Sequence, residues 1–142
     1  MHLTVLMLAC TTSPDSGEPP DTGVPVDPDA PVVESASVTC YFHTTGDTFI
    51  QWNGTATVSD QQGLGTIEAL GRVDVSDAGG SIGTVALACA DGSCATSWQA
   101  DDLDVECDAV AVPTYDFAFV VVDIDGHESA PLVASAEKTA DQ

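Results

Sequence analysis

The stretch 115–123, Tyr-Asp-Phe-Ala-Phe-Val-Val-Val-Asp, constrains the fold of this chain more than any other. It is rich in β-branched and aromatic residues, and it ends in Asp-Ile-Asp-Gly, which is a turn signal. Alternate side chains of a strand point to opposite faces, so Tyr115, Phe117, Phe119 and Val121 share one face. We expect this stretch to be the central strand of an all-β domain.

The same alternation continues through residues 32–136, where short apolar runs are separated by Gly, Asp, Asn and Ser. Strands are predicted near 33–43, 48–59, 66–75, 81–90 and 128–136, with a less regular segment at 95–112 that carries Leu103, Val105, Cys107 and Ala109 inward. Turn signals recur about every 8–14 residues, which together with seven strands is typical of an antiparallel sandwich of two sheets.

Charge excludes some classes of partner. The chain has 23 Asp and Glu against 2 Lys and Arg, a formal net charge of -21. Such a surface repels phosphate backbones, so nucleic-acid binding is not expected. The scattered acids keep the protein soluble, and cation binding or adaptation to a salty medium are the alternatives.

The first 31 residues differ in composition from the rest. Residues 1–10 form a short apolar run that ends in Met-Leu-Ala-Cys. From its composition alone, this run is either a buried strand or a disordered end. Residues 11–31 hold six of the eight prolines and five acids, which predicts a disordered, extended linker. Residues 32–136 form the expected domain and 137–142 a C-terminal tail.

Two resemblances follow from these segments. Residues 7–10 resemble the signal of a bacterial lipoprotein, which implies lipidation at Cys10, a membrane anchor and a place at the outer membrane or cell surface. Residues 113–131, with Tyr115 after Pro113 and a later Asp-Gly and Ser-Ala-Pro, resemble the last two strands of a fibronectin type III domain. The fold that this implies is an immunoglobulin-like (fibronectin type III-like) sandwich, and it carries no activity with it.

Four cysteines lie in the expected domain, which suits an oxidising compartment. Cys89 and Cys94 flank a short turn and are easily bridged, while Cys40 and Cys107 fall on apolar faces of separate strands. The favoured pairing is therefore Cys40–Cys107 with Cys89–Cys94. A zinc site and reduced thiols are the alternatives.

Two sets of residues are candidates for ligand binding. Asp123, Asp125 and Glu128 lie in one turn and could supply about half of a Ca²⁺ site, which Asp60 could join from another loop. An ordinary Asp-Gly turn is the other interpretation. Trp52 and Trp98 would stack on sugar rings if they were exposed, although Trp52 has the parity of a core residue.

Catalysis is not expected. The sequence contains no nucleophile elbow, Walker loop or zinc-protease motif, and nothing places His43 or His127 beside a nucleophile. We expect a non-catalytic, exported module with a binding or structural role at the cell envelope and without a cofactor. A Ca²⁺-dependent adhesion or assembly module and a carbohydrate-binding module are the alternatives, so the partner is an unidentified protein or glycan.

Overall fold

A computed structural model describes residues 27–107 and 114–138 of the chain. Alternating apolar residues form seven strands, and a short 3-10 turn (Leu64–Thr66) and a four-residue helix are the helical elements of this part. The strands are β1 (Val32–His43), β2 (Phe49–Ser59), β3 (Leu70–Asp77), β4 (Gly80–Ala90), β5 (Ser93–Gln99), β6 (Asp116–Val120) and β7 (Leu132–Lys138), and the helix is α1 (Ala100–Leu103).

The strands close into one barrel in the order β1-β2-β5-β4-β3-β6-β7. All neighbouring pairs are antiparallel except β1 and β7, which run parallel and complete the ring through Val38 opposite Ala136 and Thr39 opposite Glu137. Each of the seven strands therefore has a neighbouring strand on both sides, and the ring has no open edge.

The prediction of an immunoglobulin-like or fibronectin type III-like sandwich is therefore wrong. An all-β fold with seven strands is present, but the sheet closes on itself rather than forming two separate layers. Side-chain alternation led to this error, since inward and outward residues alternate in the same way in a barrel and in a sandwich.

The inside of the barrel is filled by apolar side chains. Phe117, Phe119 and Val121 are completely buried, and Tyr115 is half-buried, as the alternation predicts. Trp52 packs against Phe117 with ring centroids 5.3 Å apart. Val105 and Cys107 are also buried, whereas Ala109 lies outside the described residues.

Two elements differ from the prediction. The third strand begins at Leu70 rather than near residue 66, because Leu64–Thr66 form the 3-10 turn. The segment near 95–112 is not one irregular strand: residues up to Gln99 belong to β5, and Ala100–Leu103 are helical. Asp102 starts this helix by accepting a hydrogen bond from the backbone N–H of Gln99, so its carboxylate is a helix cap.

Two disulfides cross-link the barrel, between Cys40 and Cys107 and between Cys89 and Cys94, which is the pairing that the sequence favours. The first joins β1 to the chain after α1, across a sequence separation of 67 residues. In the chain-entropy model a bridge of this span stabilises a fold by about 4 kcal/mol. The second spans the turn between β4 and β5.

The ends of the domain also differ from composition-based boundaries. Ala30 and Pro31 lie in the predicted linker 11–31 but are buried, and β7 continues to Lys138, beyond the predicted end of the domain at residue 136. The signal at residues 1–10, lipidation at Cys10 and most of the linker lie outside the described residues. In the described part, no helix is long and apolar enough to cross a membrane.

Candidate functional site

The turn after β6 is built around a buried carboxylate. Asp123 is 1% exposed, and its Oδ1 accepts hydrogen bonds from the backbone N–H groups of Asp125 at 2.9 Å and His127 at 2.8 Å. Its Oδ2 lies 2.8 Å from Nδ1 of His127. The Asp-Gly turn that the sequence signals is thus held together by its own first aspartate.

These contacts change two pKa values. Burial raises the pKa of Asp123, but the hydrogen bonds from His127 and Asp125 outweigh burial and bring the pKa below its usual range. The hydrogen bond to Asp123 raises the pKa of His127 above its usual range against the opposing effect of burial, with help from the charges of Asp27 and Asp125. Asp27 lies 4.0 Å from Nε2 of the same ring.

Two further predicted calcium ligands, Glu128 and Asp60, also have partners within the protein. Both carboxylate oxygens of Glu128 bind the guanidinium of Arg72, at 2.8 Å and 3.0 Å, and this contact lowers the pKa of Glu128. Asp60 accepts hydrogen bonds from the backbone of Gln62 and the hydroxyl of Thr66. The Asp60 loop does adjoin the turn, because the carbonyl of Thr66 accepts a hydrogen bond from the N–H of Ile124.

Three of the four predicted Ca²⁺ ligands therefore have roles in the fold: Asp123 and Asp60 accept hydrogen bonds, and Glu128 forms a salt bridge. Within residues 27–107 and 114–138, no group of three or more His, Cys, Asp or Glu side chains is arranged to hold a metal ion. Asp125 contributes its backbone rather than its carboxylate to the Asp123 network. A Ca²⁺-dependent function finds no support in this geometry.

The two histidines of the described chain have structural neighbours. The His43 ring stacks on Phe49 with ring centroids 4.3 Å apart, and His127 contacts Asp123 and Asp27. In the part of the chain that the structure describes, neither ring is hydrogen-bonded to a hydroxyl or thiol that could serve as a nucleophile.

Both tryptophans are inside the barrel, so neither is a sugar platform. Trp52 is completely buried, Trp98 is 5% exposed, and their rings are nearly parallel at a centroid distance of 6.1 Å. The Nε1 of Trp52 donates to the carbonyl of Val105 at 2.9 Å. The open question about Trp98 is resolved by β5, whose alternation points this side chain inward.

The outer side of four neighbouring strands carries a different kind of surface. In β1, β2, β5 and β4, the outward side chains align in rows across the strands, such as Ser37 opposite Thr55 and Thr55 opposite Ala95. Glu34, at the bulge of β1, accepts a hydrogen bond from Ser59 at one end of this surface, and these four strands as described contain no other Asp, Glu, Lys or Arg, although the chain has 23 acids. The residues of this neutral face are Ser35, Ser37, Thr39, Tyr41, Gln51, Asn53, Thr55, Thr57, Thr84, Ala86, Ala88, Ala90, Ser93, Ala95, Ser97 and Gln99.

Hydrogen bonds between strands order the side chains of the neutral face. The hydroxyls of Ser37 and Thr55 are 2.9 Å apart, and those of Ser35 and Thr57 are 2.7 Å apart. From the spacing of strands and residues, the face measures about 20 Å along the strands and about 14 Å across them.

Aromatic rings and a cavity lie at one end of the neutral face. Phe49, opposite His43 at the end of the β1–β2 pair, is 36% exposed. A cavity of about 190 Å³ adjoins this ring. It is lined by Phe42, Thr48, Phe49, Ile50, Gln99, Ala100 and Asp101.

A second cavity, of about 370 Å³, lies where the described chain begins. It is mostly apolar and is bordered by the residues before β1 and those before β7. Its lining is formed by Asp27, Ala30, Pro31, Val32, Val33, Glu128, Ser129, Ala130, Pro131 and Leu132.

Comparison with known proteins identifies no relative of this chain. A scan against protein-family models finds no match, and searches of curated proteins and of solved structures find none either. Together with the closed barrel, this result does not uphold the resemblance to a bacterial lipoprotein with an immunoglobulin-like domain.

The neutral face was missed in the sequence, although its signal is present there. In the predicted second strand, near 48–59, alternation places Gln51, Asn53, Thr55 and Thr57 outward, and all four are uncharged. What the sequence does not give is the strand order that sets β5 and β4 beside them, since β5 was not recognised as a strand.

Proposed function

We propose that this protein is a non-catalytic binding module that works outside the cytoplasm, at the cell envelope, and that the neutral face is its binding surface. The observation that carries the proposal is the separation of charge: a large, ordered, uncharged area on a chain whose formal net charge is -21. A surface this acidic repels anionic polymers, whereas the neutral face allows close approach of a partner without that repulsion.

The two disulfides support a place outside the cytoplasm. Disulfides persist in oxidising compartments and are rare where thiols are kept reduced. The described side chains show no catalytic arrangement, which favours binding over turnover. His127 contacts Asp123, His43 stacks on Phe49, and Glu128 binds Arg72.

Co-sedimentation with isolated cell envelopes tests this proposal. The full chain is expected to sediment with the envelopes, and Ala95→Glu is expected to lose this behaviour because it places a carboxylate between Thr55 and Ala88 at the middle of the neutral face. Ser81→Glu is the matched control, since it adds the same charge at an exposed position in the β3–β4 hairpin.

Wild-type protein that stays in the supernatant would contradict the proposal. So would an Ala95→Glu variant that sediments like the wild type while remaining folded. Equal losses for Ala95→Glu and Ser81→Glu would show that net charge, rather than the neutral face, governs binding.

A further inference from the structure

We infer that the neutral face takes an uncharged polysaccharide chain, with one sugar ring seated on Phe49 beside the cavity at its end. This inference rests on the proposed function and specifies its ligand. It follows from the composition of the face, the position of the exposed aromatic ring, and the polar groups near that ring.

The composition of the neutral face favours a glycan over a protein. The centres of protein–protein interfaces are enriched in aromatic residues, Met and Arg and are depleted in Ser and Ala. Ser, Thr, Ala, Asn and Gln make up the neutral face except for Tyr41. Hydroxyls and amides both donate and accept hydrogen bonds, which suits the hydroxyl groups of a sugar polymer.

Charge selects an uncharged polymer. An anionic polysaccharide would be repelled by the acidic remainder of the surface. A cationic polymer would bind the acidic surface in preference to an area without charge. The neutral face is therefore matched to a partner that carries no charge and approaches without electrostatic repulsion.

Phe49 provides an apolar surface on which a sugar ring can pack. One face of its side chain is covered by His43, with an angle of 19° between the two ring planes, and the residue also lines the cavity of about 190 Å³. The exposed part of the ring therefore borders the cavity. The apolar C–H face of a sugar ring packs on such an aromatic surface, while its hydroxyls remain free for polar contacts.

Polar groups lie near the Phe49 ring. Gln51, one row along the face, is oriented by hydrogen bonds from its Nε2 to Asn53 at 3.1 Å and to Ser97 at 2.9 Å. The exposed carboxylate of Asp101 also lines the cavity and is available to accept hydrogen bonds from the hydroxyl groups of a sugar. Hydrogen bonds to a carboxylate are stronger than those between neutral groups.

Affinity electrophoresis of the full chain tests the inference. Native gels are cast with a soluble neutral polysaccharide (a β-glucan, a galactomannan, an arabinoxylan or a dextran) or with anionic polygalacturonate. The wild type is expected to be retarded in at least one neutral gel and not in polygalacturonate. Phe49→Ala should raise the dissociation constant about tenfold, since it removes the stacking surface.

Two variants control for folding and for loss of any exposed apolar group. Phe49→Trp keeps an aromatic seat and should retain binding. Leu70→Ala shortens a side chain that is 65% exposed and lies on β3, outside the neutral face, and should bind like the wild type. Wild-type mobility unchanged in all the neutral gels, equal retardation in polygalacturonate, or undiminished binding by a folded Phe49→Ala would each overturn the inference.

The envelope experiment separates failure of this inference from failure of the proposed function. Periodate, which cleaves glycans, should abolish sedimentation of the wild type with envelopes, whereas protease treatment of the envelopes should not. If protease abolishes sedimentation and Ala95→Glu still loses it, the neutral face binds a protein and the glycan inference is wrong. If Ala95→Glu sediments like the wild type, the binding surface itself is wrong.

Discussion

The two tryptophans inside the barrel differ in one hydrogen bond. Both rings are buried and nearly parallel. The indole N–H of Trp52 donates to Val105, whereas that of Trp98 is buried without a partner in the part of the chain that the structure describes. An unsatisfied buried donor destabilises a fold by about 1–3 kcal/mol.

This difference predicts unequal effects of the same substitution. Trp52→Phe and Trp98→Phe remove similar ring volume, but only Trp52→Phe leaves the carbonyl of Val105 without its donor. Trp98→Phe instead removes an unsatisfied donor. Denaturant unfolding should show that Trp52→Phe lowers the free energy of unfolding more, by about 1–3 kcal/mol. Equal losses for the two variants would contradict the hydrogen-bond assignment.

His127 predicts a dependence of stability on pH. Because its pKa is raised in the folded protein, its contact with Asp123 contributes stability that is fully present below the ordinary value of 6.5 and is lost as the pH rises through the raised pKa. The lowered pKa of Asp123 contributes stability that is present above its ordinary value of 3.8 and is lost as the pH falls through the lowered pKa.

Thermal unfolding of the wild type and of His127→Gln measures this effect. The wild type should be more stable than the variant by the largest margin at a pH between 3.8 and 6.5, and the margin should shrink in alkaline solution. A margin that does not change with pH, or that grows in alkaline solution, would show that the ring acts by packing alone.

At the scale of elements, the pairing of β3 with β6 depends on a close approach of backbones. A Cβ atom at Gly71 would lie 2.6 Å from the carbonyl oxygen of Val120 on β6, which is too close for an unperturbed strand pair. The register that sets Arg72 opposite Val120 therefore requires glycine at this position.

Gly71→Ala should accordingly destabilise the barrel. Overpacking of this kind lowers the free energy of unfolding by about 1–3 kcal/mol. Gly65→Ala is the matched control, because nothing lies within 4 Å of a Cβ at Gly65. Chemical denaturation of both variants checks the prediction, and a Gly71→Ala protein as stable as Gly65→Ala would be inconsistent with the β3–β6 register.

How far the sequence predicts these elements depends on the neighbours of each residue. The burial of Phe117, Phe119 and Val121 could be predicted from alternation alone, because the apolar face of a strand packs against the hydrophobic core. The span of β5 could not be predicted, because its outward Ser93, Ala95 and Ser97 are weak strand formers and the strand ends in a helix cap made by Asp102.

The whole molecule depends on which strands become neighbours. Closure through the parallel β1–β7 pair joins segments that are far apart in the chain, and no local pattern specifies that contact. For the same reason the candidate site was missed: Phe49 and Gln99 line one cavity only because β2 pairs with β5 in the folded barrel. Among the acids whose burial the structure describes, only Asp123 is buried, in agreement with the prediction of solvated surface groups. That these acids leave the residues of the neutral face uncharged follows from the strand order rather than from any local pattern.

An NMR titration of the labelled full chain with neutral oligosaccharides, made from the polysaccharide that retards it most, tests the central claim most directly. The largest changes in amide chemical shift are predicted at Tyr41, Phe49 and Gln51, along one end of the neutral face. Changes centred instead on the turn around Asp123, or on the apolar cavity beside Pro31 and Leu132, would contradict the assignment of the neutral face as the binding surface.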